Sequence, residues 1–336
     1  MTKEERNETI EAIIKLGELF RRPSPGPDLT SAMEQAEKSN PWFTQENVLY
    51  AFRQWGETLT EENITRWLEK YPLPDRRRNV LLVLAGNIPM VGLHDILCVY
   101  LSGHRAVIKP SGEDTALIRF VTEFLQRAAP GQADQLCMTK RAAFEGIDAV
   151  IATGSDNTAR YFEYYFRDIP TLIRHSRYSI GIIDAQTTDE ELALLGDDIL
   201  RYFGMGCRSI SKIFVPKGFD MKRLCRALEK QATVSLHNKY KNNYDYRRAL
   251  YSLGEQAGIY DTGFLLLVPQ SGLSAPLGVA GYEYYGNTDQ IRSYLTANQE
   301  HIQCVAGKGY VPFGRTQSPS LSDYADGADT MEFLAF

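Results

Sequence analysis

The chain of 336 residues lacks both of the commonest glycine-rich phosphate cradles: no GxGxxG follows an apolar run, and no GxxxxGK[ST] is present. Any nucleotide must be held some other way. No apolar run approaches the roughly 20 residues that cross a bilayer, so no membrane span is expected. The opening stretch, MTKEERNETIEAIIKLGELF, is charged from the start and has no apolar centre of a secretory signal. The five cysteines (Cys98, Cys137, Cys207, Cys225, Cys304) are odd in number and scattered, with no CxxC pair and no Cys/His ligand spacing. That pattern speaks against a disulfide scaffold and against any metal site, and it suits a reducing cytoplasm. Basic charge is also scarce, with 37 Lys and Arg against 42 Asp and Glu. A chain of that balance is a poor partner for nucleic acid, which is bound through clustered cations. The one basic run, Arg76-Arg77-Arg78, directly precedes an apolar strand and reads as its solvated entrance.

What the chain does hold is apolar mass, 43% of its residues, enough for one large domain or two ordinary ones. Residues 1–75 read as an N-terminal helical segment broken at RRPSPGPD. In TEENITRWLEKY, Thr60 is followed by Asn63 where a capping box has Glu, a weak start signal. From Asn79 the texture changes. NVLLVLAG, RAVIKPS and DAVIATGS are strands of the fully buried, parallel kind, and each is followed by a helical stretch. This alternation predicts an α/β fold with a parallel, Rossmann-type sheet over 76–200, whose ligands bind at the carboxyl ends of the strands. An α/β domain carrying Cys207 is expected over 201–309, and a Gly-, Ser- and Pro-rich loop over 310–336.

The three strand ends carry the first candidates. AGNIP presents Gly86 and Asn87; the Asn amide can aim donors into a cleft, or simply close an Asx-type turn. IKPSGED presents Lys109 and Ser111, a plausible hydroxyl or phosphate anchor beside the plainer reading of a lysine snorkelling at a strand exit. ATGSD presents Thr153, Gly154 and Ser155, where glycine lets a ligand approach the backbone and the following helix offers N–H groups to an anion.

Cys207 stands in YFGMGCRSISK, between two close glycines and an apolar strand. A thiol is a nucleophile only as thiolate, and cations such as Arg208 and Lys212 favour that form. Its own N–H could donate to an oxyanion at the carbon it attacks. A quiet structural cysteine is the alternative. The other four cysteines lie in apolar or amphipathic runs and read as core.

In their order, AGNIP, VIKPS, ATGS, GMGCRS and VPFG resemble the aldehyde dehydrogenase superfamily. The longer stretches GNIPMVGLHDIL, TGSDNTARYFEYYF, GMGCRSISKIFVP and QSPSLSDYADGADTMEFL are more closely similar to the LuxC-type long-chain acyl-CoA and acyl-protein reductases. The resemblance implies an aldehyde-dehydrogenase-like fold and an NADPH-dependent reduction of a CoA- or carrier-borne acyl thioester. It assigns Cys207 as nucleophile, Asn87 as oxyanion donor, Lys109 and Ser111 to the adenosine ribose, and Gly86, Thr153, Gly154 and Ser155 to the rest of the cofactor. Ordinary aldehyde dehydrogenases place a water-activating glutamate upstream of the cysteine. Here the residue 33 positions before Cys207 is Arg174, beside His175, and no carboxylate stands between Asp168 and Asp184. An acyl-cysteine would then persist for reduction or for exchange with a thiol, and His175 is either an acid–base candidate or a residue that only supports the site. Other readings are a cysteine acyltransferase or thioesterase that uses no nicotinamide, and a non-catalytic subunit of an acyl-processing complex. A homo-oligomer or a partner subunit is compatible with all of them.

Overall fold

The computed structural model describes residues 2–22, 24–74, 76–140, 145–154, 156–254 and 256–335. It divides into two compact units, Met1–Ser176 with Ser320–Phe336, and Arg177–Pro319.

The first unit begins with helices α1 (Lys3–Phe20), α2 (Pro27–Ser39), α3 (Gln45–Thr58) and α4 (Glu61–Leu68). Their starts are written locally. Thr2 caps α1 in a reciprocal box with Glu5, and Thr44 and Thr60 accept from the backbone N–H of Asn47 and Asn63. At Thr60 the missing Glu is replaced by a different bond, from the Asn63 amide to the Thr58 carbonyl at 3.1 Å. On α1 the buried residues Ala12, Ile13, Leu16 and Phe20 share one face.

The alternating region follows: β1 (Asn79–Val83), α5 (Leu93–Leu101), β2 (Arg105–Lys109), α6 (Thr115–Ala128), β3 (Leu136–Met138), β4 (Ala149–Thr153), α7 (Asp156–Tyr165) and β5 (Thr171–Arg174). Among the described residues these strands form one five-stranded parallel sheet in the order β3-β2-β1-β4-β5. Leu81 of β1 lies opposite Val107 on one side and Val150 on the other. The uninterrupted apolar run of β1 is explained by its burial on both faces, Val80 to Val83 being at most 7% exposed. The chain adds strands to one side of β1 and then restarts at β4 on the other. The crevice at such a reversal lies beyond the carboxyl ends of β1 and β4.

The second unit comprises β6 (Tyr178–Ile182), α8 (Asp189–Leu200), β7 (Ile210–Pro216), α9 (Met221–Leu228), α10 (Asn238–Leu253), β8 (Tyr260–Asp261), β9 (Leu266–Pro269), β10 (Val279–Tyr285), α11 (Thr288–Ala297) and β11 (Ile302–Gly307). Its sheet runs β11-β6-β7-β10-β9-β8, parallel except where β8 meets β9. The expected division at 200/201 falls inside this unit, because β6 pairs with β7 and β11 rather than with the first sheet.

The segment expected as a C-terminal loop from residue 310 serves both units. Gly314 and Thr316 donate backbone N–H groups to buried Asp198 at 2.6 and 3.1 Å in the second unit. Residues 320–335, with the short helix α12 (Thr330–Phe333), belong to the first. There Trp67 Nε1 donates to the Tyr324 hydroxyl at 2.7 Å, the Tyr71 hydroxyl donates to Asp329 at 2.5 Å, and His104 Nε2 bonds the Leu334 carbonyl at 2.8 Å.

Candidate active site

In the first unit the candidates collect at the carboxyl edge of the sheet. Gly86, just beyond β1, is buried; a Cβ placed on it would come within 2.5 Å of the Ser111 Cβ. Only glycine lets these two turns pack so closely. Asn87 follows with its side chain exposed. Met90 then adopts φ 55°, a left-handed backbone that costs a residue with a side chain about 1–2 kcal/mol. Its N–H donates to Asp114 Oδ2 at 2.7 Å. Asp114 is 1% exposed, and burial pushes its carboxyl well above the usual range, with the Met90 N–H opposing the shift.

Lys109 ends β2 half-buried, and its carbonyl accepts from Leu84 N at 3.0 Å, which ties the ends of β1 and β2 together. Ser111 accepts from the Glu113 N–H at 3.3 Å through its hydroxyl and from the Thr115 hydroxyl at 2.7 Å through its carbonyl. Thr153 and Gly154 are half-buried at the end of β4, directly before α7. Ser155 lies outside the described residues. Gly86, Lys109, Ser111, Thr153 and Gly154 are thus grouped at one sheet edge.

His175 follows β5 with its side chain 48% exposed; its N–H donates to Asp326 at 3.0 Å and its Nε2 lies 3.7 Å from Glu163. Arg174 points the other way. Its guanidinium is buried against Asp95 at 2.6 Å and the Thr330 hydroxyl at 2.7 Å, so it pins α5 and the C-terminal segment to β5.

In the second unit Cys207 is exposed, whereas Cys98 and Cys304 are buried. Cys137 and Cys225 are only half-buried, because one stands on the edge strand β3 and the other on an amphipathic surface helix. Burial pushes the Cys98 and Cys225 thiols up, toward the unreactive protonated form.

The turn that presents Cys207 is unusual in its backbone. Tyr202, Phe203 and Gly204 are left-handed in succession, at φ 53°, 59° and 77°. The two aromatic residues are buried, and the Phe203 ring lies 4.4 Å from that of His237 and 5.9 Å from that of Tyr240. Ser209 N then bonds the Gly206 carbonyl at 2.9 Å, closing a tight turn around Cys207. The Ser179 hydroxyl donates to the Cys207 carbonyl at 2.8 Å, and Gln317 donates to the Ser209 hydroxyl at 3.3 Å. The thiol-bearing residue is therefore exposed while its backbone is fixed from two sides.

Lys212 does not stand among the cations beside the thiol. It is fully buried and donates to the carbonyls of Gln270 and Ser271, each at 2.9 Å, and to Glu283 at 2.7 Å. Its ammonium also lies 4.8 Å from the Tyr294 ring. Burial lowers its affinity for the proton and Glu283 restores part of it. Its work is to hold the loop after β9, which the Ser211 hydroxyl also fixes through the Leu273 carbonyl at 2.7 Å. Arg208 remains at the turn, half-buried.

Asp114, Ser179 and the left-handed pair Tyr202–Phe203 were not singled out from the sequence. A buried aspartate just before a helix looks like an ordinary N-cap, and no residue pattern marks a left-handed tyrosine. Among the described residues no group of three or more His, Cys, Asp or Glu could hold a metal ion, and no helix is long and apolar enough to cross a membrane.

Comparison with known proteins follows the same lines. Residues 73–241 match the family model described as acyl-CoA reductase (LuxC). No curated protein sequence matches. Solved structures of similar fold include succinic semialdehyde dehydrogenase from Streptococcus pyogenes in complex with NADP+, at 14% identity and TM-score 0.64, covering 91% of this chain and 77% of that one. An aldehyde dehydrogenase from Bacillus cereus with NAD+ gives 14% identity and TM-score 0.60, covering 91% and 72%. A variant of proline utilization A from Bradyrhizobium japonicum gives 14% identity and TM-score 0.66; there the match covers 90% of this chain but only 36% of that one. At these identities the likeness establishes the aldehyde-dehydrogenase-like fold.

Proposed function

Because this chain belongs to the acyl-CoA reductase (LuxC) family, we propose that it reduces an acyl thioester, carried on CoA or on an acyl carrier, to the aldehyde through an acyl-cysteine at Cys207, with NADPH as reductant. The protein is an oxidoreductase of the acyl-CoA reductase family with an aldehyde-dehydrogenase-like fold, and the nicotinamide cofactor belongs to the proposal.

The observation that carries the finer reading is the exposed thiol on a backbone fixed by Ser179 and by the Gly206–Ser209 turn. A positioned thiolate attacks the thioester carbonyl, its sulfur bonds to the acyl carbon, and the donor thiolate departs and takes a proton. Charge on the carbonyl oxygen is met by the Cys207 N–H and the Asn87 amide in this reading. His175, with its imidazole open to solvent, is the proposed source of the proton for the departing thiol. When bound, the reduced nicotinamide supplies the hydride that the acyl carbon accepts. The carbon–sulfur bond to Cys207 then breaks, releasing aldehyde and restoring the thiolate.

The chain's residues fit such a cofactor. Gly86 and Ser111 bring their two turns into close contact at the sheet's carboxyl edge, and Lys109 brings a cation there. In the proposal Lys109 and Ser111 hold the adenosine ribose and its 2′-phosphate. Gly86, Thr153, Gly154 and Ser155 line the pyrophosphate and nicotinamide side. Hydrolysis of the acyl-cysteine is disfavoured in this reading, because the residue at the position where a water-activating glutamate is sought is Arg174, a cation paired with Asp95 that cannot accept a proton.

The test is a panel of acyl-CoA chain lengths followed by NADPH absorbance, with the acyl-enzyme trapped and mapped by mass spectrometry. Cys207→Ala is expected to lose at least about 10³-fold in turnover. An acyl group found on another residue, or a C207A protein that keeps its rate, overturns the mechanism. Thioester cleavage without NADPH binding points instead to a thioesterase or acyltransferase. A thiol inert to iodoacetamide in a protein that copurifies with a partner points to a non-catalytic subunit.

A further inference from the structure

One buried carboxyl takes no part in these steps. Asp114 immediately precedes α6, where an aspartate ordinarily accepts from the first free N–H groups of the helix. Its side chain makes no such bond. It reaches instead across 24 positions of sequence, and its Oδ2 accepts the Met90 N–H at 2.7 Å in a buried setting. Its Oδ1 is buried without a hydrogen-bond partner. Burying a carboxyl that makes a single bond is costly. What it holds is the one residue of the β1–α5 connection that is both left-handed and not glycine, Met90 at φ 55°. The Met90 carbonyl in turn accepts from Leu93 N at 3.0 Å, which sets the start of α5.

The other end of the same loop is held from the same segment. Gly86 packs against Ser111, and Asp114 N bonds the Ser111 carbonyl at 3.3 Å. The stretch 86–90, which carries Asn87, is therefore clasped at both ends by residues 111–114. That segment directly follows Lys109, the proposed ribose anchor.

We propose that Asp114 is a positioning residue, which fixes the backbone of the Asn87 loop through Met90 and so ties it to the cofactor-binding turn. The statement about turnover rests on the function proposed above; the statement about the clasp does not. Two readouts separate them. Hydrogen exchange of the peptide spanning 85–92 is expected to be slow in the wild-type protein and in Asp114→Asn, whose amide oxygen still accepts from Met90 N. In Asp114→Ala it is expected to speed up at least about ten-fold, the loss of one hydrogen bond. In the same proteins Asp114→Ala is expected to lower kcat between about ten- and a hundred-fold, with NADPH affinity and Cys207 alkylation within about two-fold of wild type, while Asp114→Asn restores kcat to within about three-fold. Unchanged exchange in D114A overturns the clasp. So does a D114N protein whose 85–92 peptide exchanges at least about ten-fold faster than wild type, a comparison that also decides the matter should D114A fail to fold. Faster exchange with undiminished kcat overturns the positioning role. A wild-type protein that turns over no thioester sinks the function, and the exchange data still judge the clasp.

Discussion

Two turns carry Cys207 and Asn87, and both place side-chain-bearing residues in left-handed backbone, yet their supports differ. Before β7, Tyr202 and Phe203 are kept in place by apolar packing, both buried and Phe203 set 4.4 Å from the His237 ring. After β1, Met90 is buried as well, and its N–H is in addition fastened by one hydrogen bond to one buried carboxyl. The strain is similar in kind, about 1–2 kcal/mol per residue, but its support differs in how it fails. Packing fails in proportion to the area removed, and takes the core with it. A single buried bond fails all at once and locally. The turn that presents the proposed nucleophile is therefore coupled to global stability, whereas the loop that presents Asn87 can be loosened further in an otherwise intact fold.

The largest effect tests the packed turn. Phe203→Ala deletes a buried ring and is expected to destabilise the protein by about 3–5 kcal/mol, read as a lowered midpoint in denaturant. The variant should alter the rate of Cys207 alkylation under conditions where it is still folded. A loss below about 1 kcal/mol would mean that something other than aromatic packing holds the left-handed pair, and the contrast between the turns would fall. Next in size is Asn87→Ala. Asn87 is exposed on a loop whose backbone other residues fix, so stability should hardly change. Turnover should fall about 10²–10³-fold, the cost of one oxyanion donor, with NADPH binding nearly intact. A loss of cofactor binding instead would move Asn87 from the reacting carbonyl to the nucleotide.

The sheets were legible because burial leaves a direct trace in residue choice. NVLLV and AVIAT can only be central strands, and the alternation with amphipathic helices dictates parallel pairing. Gly86 and Lys109 were legible for the same reason, as strand ends in such a sheet. The edge strand β3 and the two-residue β8 left too little pattern to read. The division at 176/177 was hidden because β6 resembles any other buried strand, and only its pairing with β7 and β11 assigns it. Lys212 misled because adjacency in sequence to Cys207 says nothing about side-chain direction; on β7 it turns inward to Glu283. Asp114 was invisible because its role depends on a contact 24 residues away.

The smallest effect sharpens the comparison by moving pH, since one buried group in each unit responds with opposite sign. In the second unit burial raises the Asp198 carboxyl to about 6, against the bonds from Gly314 and Thr316. A folded pKa above the unfolded value gives a contribution that is complete below the unfolded value and is lost as pH rises through about 6. Acidification from neutrality therefore favours the folded surroundings of Asp198. In the first unit burial holds His104 below its ordinary value, the Leu334 carbonyl working the other way. Its neutral tautomer with the proton on Nε2 donates to Leu334 O at 2.8 Å and accepts from Arg78 N at 3.3 Å. A depressed folded pKa gives a contribution complete above the unfolded value and lost as pH falls below it. Hydrogen exchange corrected for its intrinsic pH dependence should show protection of the Arg78 amide falling about five-fold between roughly pH 7.5 and 5.5, the equivalent of about 1 kcal/mol for the bond to Nδ1 that protonation removes. Protection around 313–317 should hold or rise. His104→Gln, which cannot gain the proton, should remove the change at Arg78 and leave 313–317 alone. If 313–317 loosens in acid together with Arg78, or if H104Q loosens as the wild type does, the imidazole is not the acid-sensitive group at the entrance of β1.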